Sequence, residues 1–442
     1  MNASSDVEDF KVIDSQQATD CTLPTKADVV IIGAGIVGTA AAYYLAKRGQ
    51  SVVLCEKGRV AGEQSSRNWG FVRQQGRDPA EIPAIIESLR IWRGLAMEIG
   101  EDLGFKQAGV YYLADTEEQV AAYEDWLEYA KQYQIDSRLM SRQDIEERLP
   151  GATGRWIAAL HTPSDGRAEP LLATPALARA AERLGATIAT NCAVRGLETE
   201  VGRVSSVVTE LGRVRTNTVL CAAGAWSSLF CARHGITLPQ LKVRSSVFRT
   251  GPAPLVSDHA IWTKDVAFRR RKDGGYTVAH GAATEAPIVP DTLRWMGKFM
   301  PAFKAERNRL RLRLDHRFYS ELMTPRRWNL YGPSPFEETR VNDPLPSKSI
   351  LGEASANLRR LFPALKDVEI VETWAGLIDV TPDAVPVIAP VDEMPGFYLA
   401  TGFSGHGFGI GPAAGKLAAE MVTGAPTTVD MTPFRLERFF GG

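Results

Sequence analysis

The chain has 442 residues, 44% of them hydrophobic and 23% charged, with a formal net charge of −1. That length supports a large core and two or three compact units. The near-neutral balance offers no field that would draw the chain to nucleic acid or to anionic lipid. Residues 1–26 carry the acidic patch DVEDF and no apolar run, so they read as a flexible tail rather than a secretory signal. Residues 27–46 are apolar enough to suggest a membrane span, but Gly33, Gly35 and Gly38 divide them into a strand and a helix. The strand, 29–32, is continuously apolar, as in a sheet covered on both faces. The helix, 36–48, is rich in alanine and stops at Gly49, and a second buried strand follows at 51–55. An amphipathic helix over 81–103 places Ile85, Ile86, Leu89, Trp92 and Leu95 on one face.

From Gly109 the texture changes to an alternating strand (GVYYLAD), a surface helix and a short helix ended by Pro150. A helix closed by Gly185, a strand, a hairpin through EVGRV and ELGRV, and the buried strand of TNTVLCAAGAW return the α/β texture. Alternating strands and long loops fill 241–370, and apolar strands resume from 371. The fold class is therefore α/β (α+β overall). A discontinuous parallel-sheet domain is expected from 27–105, 160–240 and 371–430, and an antiparallel second domain from 106–159 and 241–370. Residues 431–442 read as a C-terminal tail.

GAGIVG, Gly33–Ala34–Gly35–Ile36–Val37–Gly38, matches G-x-G-x-x-G between a strand and a helix. The three glycines serve the tight turn, the backbone approach to a pyrophosphate and close helix–strand packing. The diphosphate would sit at the helix N-terminus. Glu56, followed by Lys57, ends the second strand, where a carboxylate can accept a ribose hydroxyl. An adenine dinucleotide is expected, and Glu56 disfavours a 2′-phosphate by like charge. The loop EKGRVAGEQSSRNWGFVR offers Ser65, Ser66, Arg67 and Asn68 as donors toward a long cofactor; by itself it also reads as an ordinary surface loop.

Four pieces in order carry a resemblance. They are the glycine turn with Glu56, the SSRN loop, TVLCAAGAWS at 218–227, and WAGLIDVTPDAVPVI with GFYLATGFSGHGFGIGPAAG at 374–415. The chain resembles the FAD-dependent amine and amino-acid oxidoreductases, a family that includes D-amino acid dehydrogenases, glycine oxidase and sarcosine oxidases. The resemblance implies a Rossmann-like FAD domain and a substrate domain covering the flavin. It implies that Val194 faces the adenine and that Ala223, Gly224 and Trp226 line the dinucleotide. It implies also that Gly405, His406, Gly407, Phe408, Gly409 and Ile410 lie against the flavin pyrimidine. There, exposed N–H groups and a helix N-terminus would stabilise the negative charge of a reduced ring.

The implied chemistry is oxidation of a C–N bond to an imine by hydride transfer, in which positioning and desolvation matter more than a strong base. Relatives carry arginine immediately after WAGL, where this chain has Ile378. Arg73, Tyr276 and His280 are the candidates for holding a substrate carboxylate, with Arg73 ranked first. Sarcosine oxidases carry lysine where Gly409 stands, and a cysteine that bonds the flavin. No cysteine follows Cys231 and no histidine lies in SSRNWG, so FAD is expected to bind without a covalent link. Losing the lysine tilts the expectation toward a dehydrogenase, although His406 can take its place.

The electron acceptor is then oxygen, a quinone or a redox protein. Alternatives are an oxygen-using secondary-amine oxidase or N-demethylase, and a non-catalytic FAD-binding electron-transfer or assembly subunit. An oligomer is possible. RLRLRLDHR reads as a solvated strand edge or an anionic-surface patch. His161, His234, His259 and His316 show no metal-ligand spacing, so no metal is expected. Five cysteines form no CxxC pair, which fits a reducing, cytoplasmic compartment.

Overall fold

The computed structural model describes residues 22–307 and 309–441. The expected N-terminal tail lies outside the described residues as far as residue 21. Six strands form one sheet in the order Val387–Pro390, Phe397–Thr401, Val219–Cys221, Val29–Ile32, Val52–Cys55 and Thr187–Ala189. All neighbours are parallel except the first pair. The sequence VVII is fully buried because both faces are covered. Val29 and Ile31 face a cluster built with the helices, while Val30 and Ile32 face one shared with a three-stranded sheet over residues 194–215.

Helices Ile36–Lys47 and Gly407–Val422, which follow the two glycine-rich turns, pack against each other in the first cluster. A Cβ on Gly411 would lie 2.7 Å from Ile36, and one on Gly415 would lie 2.5 Å from the Ala40 Cβ and 2.6 Å from the Ala41 nitrogen. Small residues thus let the two helices approach backbone to backbone. Gly415→Val is expected to cost ~1–3 kcal/mol by overpacking, read as a lower denaturant midpoint.

The second sheet has ten strands and is largely antiparallel, with parallel pairs between Ala260–Trp262 and Val110–Ala114 and between Thr284–Pro287 and Leu310–Arg313. Strand Ile370–Val380 pairs along its length with Leu241–Thr250 in this sheet. The boundary expected at 371 therefore falls inside a strand of the second sheet, and the return to the parallel sheet begins at Val387. Strand Ala158–Thr162 likewise pairs with Val110–Ala114, across the boundary expected at 160. Ala158–Thr162 and the 375–377 stretch of Ile370–Val380 are buried like parallel strands, so composition does not separate the two sheets there.

The C-terminal segment is no loose tail. Phe434 and Leu436 are buried in short 3-10 turns, Thr432–Phe434 and Leu436–Phe439. Arg311 and Arg313 of RLRLRLDHR stand on the sheet's edge strand, paired with Glu353 and Glu285, while Arg309 just before it pairs with Glu306 and lines the cavity described below. Buried Arg269 of strand Ala267–Arg270 reaches Glu169, the cap of helix Pro170–Arg183, and so ties the second sheet to the helical layer.

Candidate active site

A cavity of about 700 Å³ runs between the two sheets, from Val194 at one end to the turn before Gly407 at the other. At the first end Gly33 takes φ 101°, and a Cβ there would meet the Ala222 carbonyl oxygen at 2.6 Å. A Cβ on Gly38 would lie 2.0 Å from the Gly33 oxygen, so this glycine is required for helix–strand contact rather than for the cavity. Gly35 meets only the Ser65 Oγ, at 3.1 Å, and leaves a cradle that a larger side chain would fill. Gly33, Gly35, Ile36, Val37, Glu56 and Lys57 line the cavity; Ala34 and Gly38 support it from behind.

The Glu56 carboxylate accepts from the Ala34 N–H at 2.9 Å and the Gly58 N–H at 2.8 Å. Burial raises its pKa against these two bonds. Val194, Ala223, Gly224 and Trp226 line the same end.

The SSRN loop forms a short helix, Gln64–Arg67, over the first helix N-terminus. Ser65 Oγ accepts from the Ile36 N–H at 2.9 Å, so it sits where the glycine turn would meet a diphosphate. Ser65, Arg67 and Asn68 line the cavity, while Ser66 turns back to the Glu63 carbonyl. Arg67 acts mainly as a strut, donating to the carbonyls of Asn342 at 2.8 Å and Ala375 at 3.1 Å. Asn68 closes its own turn by donating to Gln64 and Ser65 and accepting from Gly70. Lys57 is held by Glu63 at 2.7 Å and lies over the Trp226 ring.

At the far end the chain turns sharply before helix Gly407–Val422. Ser404 and Gly405 both take positive φ, 50° and 85°. A non-glycine residue there stores strain, and Ser404 is held by donating its N–H to Asp379 O at 2.9 Å. Gly405, His406, Gly407 and Phe408 line the cavity. Gly409 and Ile410 do not: the Gly409 carbonyl accepts from Ser88 at 2.6 Å and Trp92 at 2.9 Å, and Ile410 is in the core. The lining ends with the first helical turn because the next residues rotate onto helix Ile82–Ile99.

Arg73 lines this end, donating to Gln75 O, with its guanidinium 5.3 Å from the Tyr112 ring centre. Tyr276 and His280 do not line it. Tyr276 is fully buried against Phe268 and its hydroxyl donates to Pro254 O at 3.0 Å. His280 faces Glu353 at 3.7 Å and accepts from the Ala282 and Ala283 N–H groups.

The sequence reading missed Arg77, Glu81 and Tyr112. Arg77 is 3% exposed, lines the cavity and donates through Nε to Arg73 O at 3.1 Å, yet its Nη1 has no partner. Burial, with Arg73 beside it, pushes its pKa down to about 10. Glu81 caps helix Ile82–Ile99, is fully buried, and bonds His406 Nδ1 through Oε2 at 2.8 Å. The signal was the run RDPAE before a helix, with two opposite charges four residues apart. Asp165 holds the Arg73–Arg77 loop by accepting from the Gln74 and Gln75 N–H groups at 2.8 and 3.1 Å, and burial pushes its pKa up to about 7. Among the described residues no group of three or more potential metal ligands occurs.

An open cradle at Gly35, a carboxylate at the end of the second strand and a cavity long enough to reach a second helix N-terminus define a dinucleotide-binding flavoprotein. The chain belongs to the family described as FAD dependent oxidoreductase (DAO), whose pattern matches residues 28–421, and its cofactor is FAD. Glycine oxidase of Bacillus subtilis (strain 168) is 26% identical over 421 residues, 93% of this chain and 97% of that protein. Mitochondrial sarcosine dehydrogenase of Mus musculus is 25% identical over 425 residues, but the chain spans only 42% of that longer protein. Among solved structures, L-amino acid deaminase from Proteus myxofaciens in complex with anthranilate superposes with a TM-score of 0.92 at 34% identity, covering 95% of each chain.

Glu56→Gln is expected to weaken FAD binding ~10- to 100-fold, the worth of a hydrogen bond to a charged acceptor. Flavin fluorescence during reconstitution of the apoprotein measures it.

Proposed function

We propose that the chain oxidises the C–N bond of an amino acid or N-substituted amino acid to an imine, which water then hydrolyses. The observation that carries this reading is the charge at the far end of the cavity. Arg73 and Arg77 line it and have no ion-pair partner among the described residues, whereas Arg309, also in the lining, is held by Glu306 and the nearby Glu81 carboxylate by His406. Neither guanidinium has a carboxylate paired directly to it, and a substrate carboxylate supplies that partner. Arg73 would take the carboxylate, in place of the arginine absent at Ile378, which itself lines the cavity as an apolar wall. Tyr112 and Trp262, with ring centres 4.9 Å apart, would flank the rest of the substrate.

Gly33, Gly35, Ile36, Glu56, Val194 and the 223–226 turn would hold the adenine and diphosphate half of FAD. Ser65 and the turn at 405–408 would hold the flavin half. Bound FAD supplies the two-electron acceptor for the hydride leaving the carbon next to nitrogen. The protein's part is to fix the carboxylate, exclude water and place that C–H. No side chain offers a covalent flavin link at the positions considered above, so the cofactor would be held by contacts alone.

No helix among the described residues is long and apolar enough to cross a membrane. The buried thiols Cys55, Cys192, Cys221 and Cys231 support assignment to a reducing compartment such as the cytoplasm. Anaerobic addition of D-amino acids, L-amino acids and N-methylated amino acids tests the reading. Bleaching of the flavin absorbance by at least one class is expected, and none by any class would overturn it. Peroxide formed on admitting air then separates oxygen from a quinone or a redox protein as acceptor.

A further inference from the structure

We propose that His406 is the residue that receives the substrate nitrogen, with Glu81 as the positioning residue that fixes its ring. The inference rests on the amino-acid reading above and assigns the other pole of the substrate.

The Glu81 carboxylate is fully buried and engages His406 Nδ1 at 2.8 Å. Its pKa is pushed up by burial and, more strongly, down by His406, Arg77 and Arg73, so it stays below its ordinary value. An ionised carboxylate can only accept, so the imidazole proton sits on Nδ1 and Nε2 carries the lone pair. Nε2 has no protein partner among the described residues, and His406 lines the cavity. The charged groups facing the ring are Glu81 on helix Ile82–Ile99 and Arg73 and Arg77 on the loop before it. Burial, with Arg77 adding to it, holds the ring's pKa near 4 against the Glu81 bond, so it is neutral at pH 7.

This arrangement suits a zwitterion that must lose a proton before its carbon is oxidised. The substrate's carboxylate meets Arg73 and Arg77. The same two cations raise the energy of an ammonium held next to them, which favours the neutral amine. Once the substrate carboxylate has offset the Arg73 and Arg77 charges that otherwise disfavour a charged ring, Nε2 accepts the departing proton, giving an imidazolium opposite the Glu81 carboxylate. The pair then carries no net charge, and the proton passes on to water. The nitrogen keeps the electron pair of its broken N–H bond. That pair becomes the second bond of an iminium when the C–H hydrogen leaves as hydride with its own two electrons, and loss of a further N–H proton to water gives the imine. Glu81 thus acts twice, by holding the tautomer before the transfer and by balancing the charge after it.

The test uses the FAD-loaded enzyme, an amino acid that bleaches it, and the rate of bleaching as a function of pH. In the wild-type protein the rate should rise with pH and level off well below the pH at which the free amine ionises. In His406→Gln, which accepts a hydrogen bond but takes no proton, the rate at pH 7 should fall ~100-fold. Its rising limb should move up to the ionisation of the free amine. A β-fluorinated substrate, whose amine is less basic, should recover part of that loss. Glu81→Gln should move the limb in the same direction by a smaller amount, ~10-fold in rate at pH 7.

FAD stoichiometry and the spectral shift on titrating benzoate should stay unchanged in Glu81→Gln, because neither depends on the amine. Wild-type pH profiles in both variants would overturn the assignment while leaving the amino-acid reading intact. Loss of benzoate or FAD binding in Glu81→Gln would overturn it too, by showing a structural role. Absence of bleaching by any amino acid in the wild-type protein would overturn both readings.

Discussion

Arg269→Met is expected to destabilise the protein by ~3–5 kcal/mol, the cost of leaving a buried carboxylate without its partner. Arg269 is 1% exposed and holds Glu169 with both Nη atoms, at 2.7 and 3.0 Å, while Nε donates to the Trp69 carbonyl at 2.6 Å. The substitution therefore strands Glu169 and frees the backbone that leads into the Arg73–Arg77 loop. Burial drives the Glu169 pKa up and Arg269 drives it further down, so the native group is more acidic than in the unfolded chain. Such a group contributes stability above its unfolded pKa and loses it as the pH falls through the native one. The effect of Arg269→Met should accordingly shrink in acid. Arg269→Met with Glu169→Leu should recover most of the loss, because neither charge is then buried. Denaturant midpoints of the three proteins at pH 7 and pH 4 measure this. A double variant less stable than the single one would contradict it.

Arg73→Leu is expected to lower kcat/KM for an amino acid ~10- to 150-fold, equivalent to one hydrogen bond to a charged group at ~1.5–3 kcal/mol. The amine with the same side chain but no carboxylate should change little, so the preference for the acid should collapse. Arg73→Lys should recover only part, since an ammonium cannot grip both oxygens in the planar fork of a guanidinium. Its position over Tyr112 is a second reason, because that contact favours a flat, weakly hydrated cation. Equal losses for acid and amine would assign Arg73 a structural role instead.

The glycine-turn end of the cavity was legible in the sequence because its pattern is local. A glycine turn between an apolar strand and a helix, followed by a carboxylate at the next strand end, lies within 24 residues, Gly33 to Glu56. The far end of the cavity depends on which face of a strand looks inward, and an alternating pattern in a sheet covered on both sides does not say. Tyr276 stands on such a strand and His280 just after its end, and they point to the core and to Glu353. Arg77 and Glu81 were hidden for the opposite reason. They lie in a polar run before a helix, where charge usually means solvent, and only the fold encloses them. The domain boundaries at 160 and 371 slipped for a related cause, since WAGLIDV is as apolar as a parallel strand while pairing antiparallel with Leu241–Thr250.

The order of strands in the parallel sheet has a consequence for how the chain is made. Val29–Ile32 is synthesised first, yet it lies between Val52–Cys55 and Val219–Cys221, and Phe397–Thr401 must still be added beyond them. On a ribosome the early βα unit emerges long before its partners and shows an apolar edge to solvent while some 160 residues follow. Helix Ile36–Lys47 waits longer still, because the glycine-bearing face that covers it belongs to Gly407–Val422. Contacts of such sequence separation form slowly. A truncation that removes only the last helix would therefore uncover one face of the first, which Pro170–Arg183 covers only on another side, and leave the nascent protein prone to aggregate, although every residue of the N-terminal glycine turn would be in place.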